Sequence, residues 1–112
     1  MWLCTKYGFY SIVQKKPGEY HIRARVKQDL ENLKAGTEIK RRIIVTKDAD
    51  YHYRMVVNEI EVIVAMTFIA HTLNYSKFKS EIAKSEDQRD KLTAYHEIWA
   101  LMAGFQKASG KK

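Results

Sequence analysis

The chain is poor in the residues that staple and punctuate small proteins: its 112 residues include one cysteine, one proline and five glycines. A lone Cys4 excludes an internal disulfide and any cysteine-based metal site; it reads as a small apolar residue in a strand. No apolar run approaches the roughly 20 residues of a membrane helix, and Lys6 arrives too early for a signal-peptide core. The expected setting is cytoplasmic, with no membrane partner. There is no Gly-rich phosphate loop, Cys–His nucleophile pairing or His-x-x-x-His spacing. Glu59 and Glu61, two apart on a helix, point to different sides. No metal and no cofactor is expected.

Acids are also scarce, 13 against 20 Lys/Arg, for a net charge of +7. The excess is uneven. Residues 1–57 hold twelve Lys/Arg against six Asp/Glu, and residues 58–112 hold eight against seven. A basic half attracts nucleic acid through long-range electrostatics and also aids solubility. With 46% hydrophobic residues, the chain has enough apolar material for a folded domain. The expectation is a single α+β domain over residues 1–106 and a basic flexible tail over 107–112.

What the chain does have is an internal echo. At a spacing of 31, Ile12 matches Ile43, Lys16 matches Lys47, Tyr20 matches Tyr51, His21 matches His52, Arg23 matches Arg54 and Val26 matches Val57. Six identities in fifteen positions compare with about one from average residue usage, so a duplication is the working expectation. It would set two His-x-Arg units near a pseudo-twofold axis.

Trp2 to Gln14 reads as a strand or a bent pair with Gly8 at the bend, followed by a Lys15-Lys16-Pro17-Gly18 turn and a returning strand over Glu19 to Arg25. Val26, Leu30 and Leu33 recur at helical spacing up to Gly36. Arg41 to Thr46 and Tyr51 to Val57 repeat the hairpin. Asn58 then caps a helix from about Glu59 to Leu73, apolar nearly all round and expected to be the most buried element, with Ile60, Ile63, Val64 and Phe68 inward and Val62, Met66 and Ile69 as further inward candidates. A short helix follows over Lys77 to Ala83. Ser85-x-x-Gln88 resembles a capping box opening a last helix to about Gln106 with Leu92, Tyr95, Trp99 and Met102 as its stripe. Trp2 and Trp99 are expected as core anchors.

Two ββα units predict a four-stranded antiparallel sheet with helices on one face, a ferredoxin-like-type two-layer sandwich, plus a C-terminal helical extension. Strand parity puts Tyr20, Ile22, Ala24 and Val26, and Tyr51, Tyr53, Met55 and Val57, under the helices. His21, Arg23, Arg25, His52 and Arg54 fall on the open face, with Phe9 or Tyr10 as an aromatic neighbour.

The segments Trp2-Leu3-x-Thr5-x-Tyr7-Gly8-Phe9-x-Ser11, Ala49-Asp50-Tyr51-x-Tyr53-Arg54 and Tyr95-His96-x-x-Trp99 resemble a family of small uncharacterised bacterial proteins over nearly the whole chain. That family tends to show Asn-Phe-Lys where this chain has Lys77-Phe78-Lys79. The resemblance implies a compact domain and, with no established activity, no mechanism.

The leading functional expectation is a non-enzymatic nucleic-acid-binding module, DNA or RNA, on the open sheet face. Arginine forks suit phosphate, and aromatic neighbours can stack on unpaired bases. Its residues would be Arg23, Arg25, Arg54, His21 and His52, extended at the hairpin ends by Lys15, Lys16, Arg41, Arg42 and Lys47. The bland alternative pairs these arginines with Glu19 or Asp50. The rival function is a homo-oligomeric interaction protein, in the simplest case a homodimer, that buries the same face. A third, a phosphodiester enzyme, would use His21 and His52 as acid and base with Arg23 and Arg54 on the developing charge.

Overall fold

A computed structural model of the chain describes residues 1–110. Contacts divide the chain into two compact units, Met1–Asn74 and the remainder from Tyr75.

The first unit is an α+β arrangement with one open antiparallel sheet. Its strands are β1 (Trp2–Thr5), β2 (Gly8–Lys16), β3 (Glu19–Ala24), β4 (Ile44–Val45) and β5 (Tyr53–Val57), in the spatial order β1-β2-β3-β5-β4. The sheet therefore has five strands where four were expected, because the bent N-terminal segment folds back on itself as the β1/β2 pair. Thr5 makes that bend: its Oγ1 accepts from the Tyr7 and Gly8 amides at 3.2 and 3.0 Å. The β2/β3 hairpin closes over Pro17-Gly18. Gly18 has φ +82°, which a type II turn requires at its third position and which favours glycine.

Helices α1 (Lys27–Gly36) and α2 (Glu59–His71) share a core with one sheet face. Tyr10, Ile12, Ile22, Ala24, Met55 and Val57 from the strands meet Leu30, Leu33, Ala65 and Ile69 from the helices. Asp29, buried in the first turn of α1, accepts from the Phe9 amide at 3.1 Å, and Tyr10 donates its hydroxyl to the Asp29 carbonyl at 2.7 Å. These bonds fix α1 across the start of β2. A methyl on Gly36 would strike the Phe68 ring, so the end of α1 and the middle of α2 approach as closely as they do because that residue has no side chain.

Asn58 caps α2 as expected, in a full capping box. Its Oδ1 accepts from the Glu61 amide, and a Glu61 carboxylate oxygen accepts from the Asn58 amide, both at 2.9 Å. The buried face of α2 is narrower than expected and includes only part of the expected set. Ala65 and Ile69 are buried and Val62, Met66 and Phe68 pack against the core, whereas Ile60 and Ile63 are 72% and 57% exposed and Val64 is exposed too. A helix apolar nearly all round carries no moment to choose its face. The small Ala65 permits the closest approach, and it faces the sheet.

The duplicated unit is not confirmed. In the first hairpin Val13 pairs with His21; the matching residues 31 positions on are Ile44 and His52, yet Ile44 pairs with Arg54. Here β4 has only two residues, and the loop joining it to β5 is much longer than the Pro17-Gly18 turn. The matched central strands do meet antiparallel, with Arg23 opposite Arg54. Val26 is not in the core; it precedes α1 and is exposed.

The second unit holds α3 (Phe78–Lys84), a 3-10 turn (Arg89–Lys91) and α4 (Leu92–Ser109). Ile82, Gln88 and Tyr95 are buried, and the Phe78 and Tyr95 rings lie 5.1 Å apart. Ser85 does not cap α4: its hydroxyl donates to Asp87 and its backbone closes a turn, so the long helix begins at Leu92. The helix also continues through residues 107–109 of the expected tail; residues 111–112 lie outside the described residues. Trp99 and Met102, expected inward, are exposed, and so is Trp2. Within this unit α4 packs against α3 and the 3-10 turn, which leaves its C-terminal turns without cover. Among the described residues, no helix is long and apolar enough to cross a membrane.

Candidate nucleic-acid interface

Antiparallel register decides which side chains share the open sheet face. Trp2 lies opposite Ser11 and Cys4 opposite Phe9; Ser11 lies opposite Arg23 and Val13 opposite His21; Arg23 lies opposite Arg54. Residues opposite one another point to the same face. The face thus runs from an aromatic edge, where Trp2 and Phe9 rings sit 6.5 Å apart, to a cationic centre on β3 and β5. Tyr10, the other aromatic candidate, is in the core.

At that centre Arg23 donates from Nη2 to Ser11 Oγ at 2.7 Å. Its guanidinium carbon lies 4.6 Å from the centre of the Tyr51 ring, and the Arg25 guanidinium carbon lies 4.2 Å from the same ring. Tyr51, expected under the helices, is instead buried against these two cations. Strand parity fails there because β5 begins only at Tyr53 and the chain bends at Tyr51-His52. Arg23 Nε is buried and has no hydrogen-bond partner. Arg25 donates to the Asp50 carbonyl at 2.7 Å, a contact with backbone and not with the Asp50 carboxylate.

His21 connects the other arginine to Glu19. Arg54 Nη1 lies 3.1 Å from His21 Nδ1, and His21 Nε2 lies 3.2 Å from the Glu19 carboxylate. Arginine has no acceptor, so Nδ1 accepts; the ring proton is thereby assigned to Nε2, where it is donated to Glu19. The His21 hydrogen bond, with the nearby Lys16 ammonium at 3.6 Å, holds the Glu19 carboxyl below the ordinary glutamate range. Glu19 is thus engaged by His21 and Lys16. Among the described residues, no carboxylate makes an ion pair with Arg23, Arg25 or Arg54.

The other sequence candidates scatter. His52 is exposed before β5, its ring 6.2 Å from that of Tyr53, and none of the close contacts of His21 involves it. Lys15 and Lys16 are exposed at the β2/β3 hairpin end and Lys47 in the loop after β4. Arg42 is exposed ahead of β4. Arg41 is drawn to the start of α2, where its Nε donates to both Glu61 oxygens at 3.0 and 2.9 Å. Sequence reasoning missed Ser11, Trp2 and Tyr51 as parts of this face; pairing register supplies the first two, and nothing in the residue pattern marks the third. Cys4 is exposed on the same face, with partial burial raising its thiol pKa. Among the described residues, no cluster of His, Cys, Asp and Glu could hold a metal ion.

Comparison with protein families, curated proteins and solved structures returns no match to this chain.

Proposed function

We propose that the open sheet face binds single-stranded nucleic acid, with Arg23 and Arg54 taking backbone phosphate and Trp2 with Phe9 offering a stacking platform. One observation carries the reading: two arginines sit directly opposite one another on neighbouring strands without a carboxylate paired to either. Like charges in that position are destabilising by themselves, and a phosphate between them turns the repulsion into two charge-assisted contacts. The buried Arg23 Nε leaves one donor unused, and a buried unsatisfied donor carries a desolvation cost. Trp2, 73% exposed beside Phe9, supports unpaired bases as the target, because stacking needs a free base face.

Titration of the protein into labelled single-stranded and duplex DNA and RNA at two salt concentrations tests this reading. Binding should favour single strands, weaken steeply with salt as counterions are released, and fall in an Arg23→Gln/Arg54→Gln variant of unchanged circular dichroism. Equal affinity in that variant, or no binding at low salt, removes the proposal.

A further inference from the structure

Helix α4 carries Ile98, Leu101, Met102 and Phe105. Their spacing of i, i+3, i+4 and i+7 aligns them along one side of the helix. All four are in water, between 42% and 74% exposed, as is Trp99 at 60%. These five side chains leave on the order of 600 Å² of apolar surface open, the upper end of the roughly 300–600 Å² spanned by the largest patch of a soluble monomer, a patch that often serves as an interface.

We infer that this stripe is covered by α4 of a second copy, packed antiparallel about a twofold axis at Leu101 and Met102. Antiparallel pairing about that axis sets Ile98 against Phe105 of the second copy and Leu101 against its Met102, so the stripe is complementary to itself, as a twofold interface must be. A charge near a twofold axis meets its own copy, and no charged residue interrupts the stripe between Ile98 and Phe105, so antiparallel pairing sets no like charges against each other there. The exposed side of α2 differs, because Glu59 precedes Ile63 by one turn and lies in line with it. Two copies would bury about 1,200 Å² of side-chain surface, the lower edge of stable specific interfaces, which places the dimer in a weak, concentration-dependent class.

Sedimentation velocity on the full chain from low to high micromolar concentration should show a monomer passing to a dimer. Leu101→Glu with Phe105→Glu should remain at half the dimer mass with unchanged circular dichroism, since both side chains are exposed. Arg23→Gln/Arg54→Gln should dimerise normally, which separates this interface from the open sheet face. On a Cys4→Ser background, Ile98→Cys and Phe105→Cys proteins should cross-link to each other when mixed and not each to itself. A monomer at every concentration, a dimer unaffected by the Leu101/Phe105 pair, or self-cross-linking alone would overturn the inference. So would a monomer whose stripe binds phosphatidylcholine vesicles, which would assign α4 to a lipid surface.

Discussion

Arg23 and Arg54 face each other across β3 and β5, and each is held by a neutral partner, Ser11 for the first and His21 for the second. Two cations are thus oriented by groups that leave their charge intact. A carboxylate in either place would pair with the guanidinium and consume its charge.

This opposition predicts an inverse relation between stability and binding. Arg54→Gln removes one of the two facing charges and keeps a side-chain N–H donor for His21 Nδ1. Its melting temperature at low salt should rise, by the equivalent of about 0.2–1 kcal/mol, while nucleic-acid affinity falls. Thermal denaturation with and without added salt checks the cause, because screening should raise the wild-type melting temperature and leave Arg54→Gln nearly unmoved. A variant that melts lower at every salt concentration would mean that Arg54 supports the fold.

Tyr51 should behave as a structural part of the site. Its ring is buried beneath the Arg23 and Arg25 guanidinium groups, and partly desolvated cation–π contacts are worth roughly 0.5–2 kcal/mol. Tyr51→Leu should therefore lose about 2–4 kcal/mol once the ring volume left behind is included. Tyr51→Phe keeps the ring and should stay within about 1 kcal/mol of wild type. Urea unfolding of the pair separates ring from hydroxyl, and equal losses in both variants would contradict the stacking account.

The order of the main elements was legible because it rests on local signals: Pro17-Gly18 closes a hairpin, Gly8 follows a bend, and Asn58 opens α2. The buried faces of β3 and β5 were legible too, since alternation in Tyr20–Ala24 and Tyr53–Val57 has one reading while the chain stays extended. What failed depended on partners. A helix apolar nearly all round gives too weak a pattern to say that Ala65 faces inward and Ile60 faces water. Tyr51 left the parity of its strand because the chain bends just before β5. The His21/His52 pairing assumed that two similar sequences would keep the same register, and a two-residue β4 did not allow it.

Trp2 offers a direct optical readout of the proposed stacking. At 73% exposure its replacement should hardly change stability, so Trp2→Ala is expected within about 0.5 kcal/mol of wild type. If bases stack on it, its fluorescence should be quenched on adding single strands, and Trp2→Ala should weaken binding by about 1–3 kcal/mol. Trp99 is also exposed, so Trp99→Phe isolates the signal. Binding with full affinity in Trp2→Ala would move the bases elsewhere on the face.

Acid should loosen α2 through Glu61. The Arg41 guanidinium, helped by the Asn58 amide, holds this carboxyl below the ordinary glutamate range against the opposing effect of burial. The unfolded chain takes up its proton near the ordinary value, about pH 4.3, and the folded chain only at lower pH. Stability from Glu61 is therefore complete above that ordinary value and lost as pH falls through the folded one. Glu61→Gln keeps a side-chain acceptor for the Asn58 amide and cannot ionise. It should be less stable than wild type at neutral pH, with the difference shrinking below about pH 4. Asn58→Ala removes the other half of the box and should cost about 1 kcal/mol at either pH. Unfolding curves for the three proteins across that range decide the point: a Glu61→Gln deficit that persists undiminished in acid would show that its origin is packing and not the ionised carboxylate.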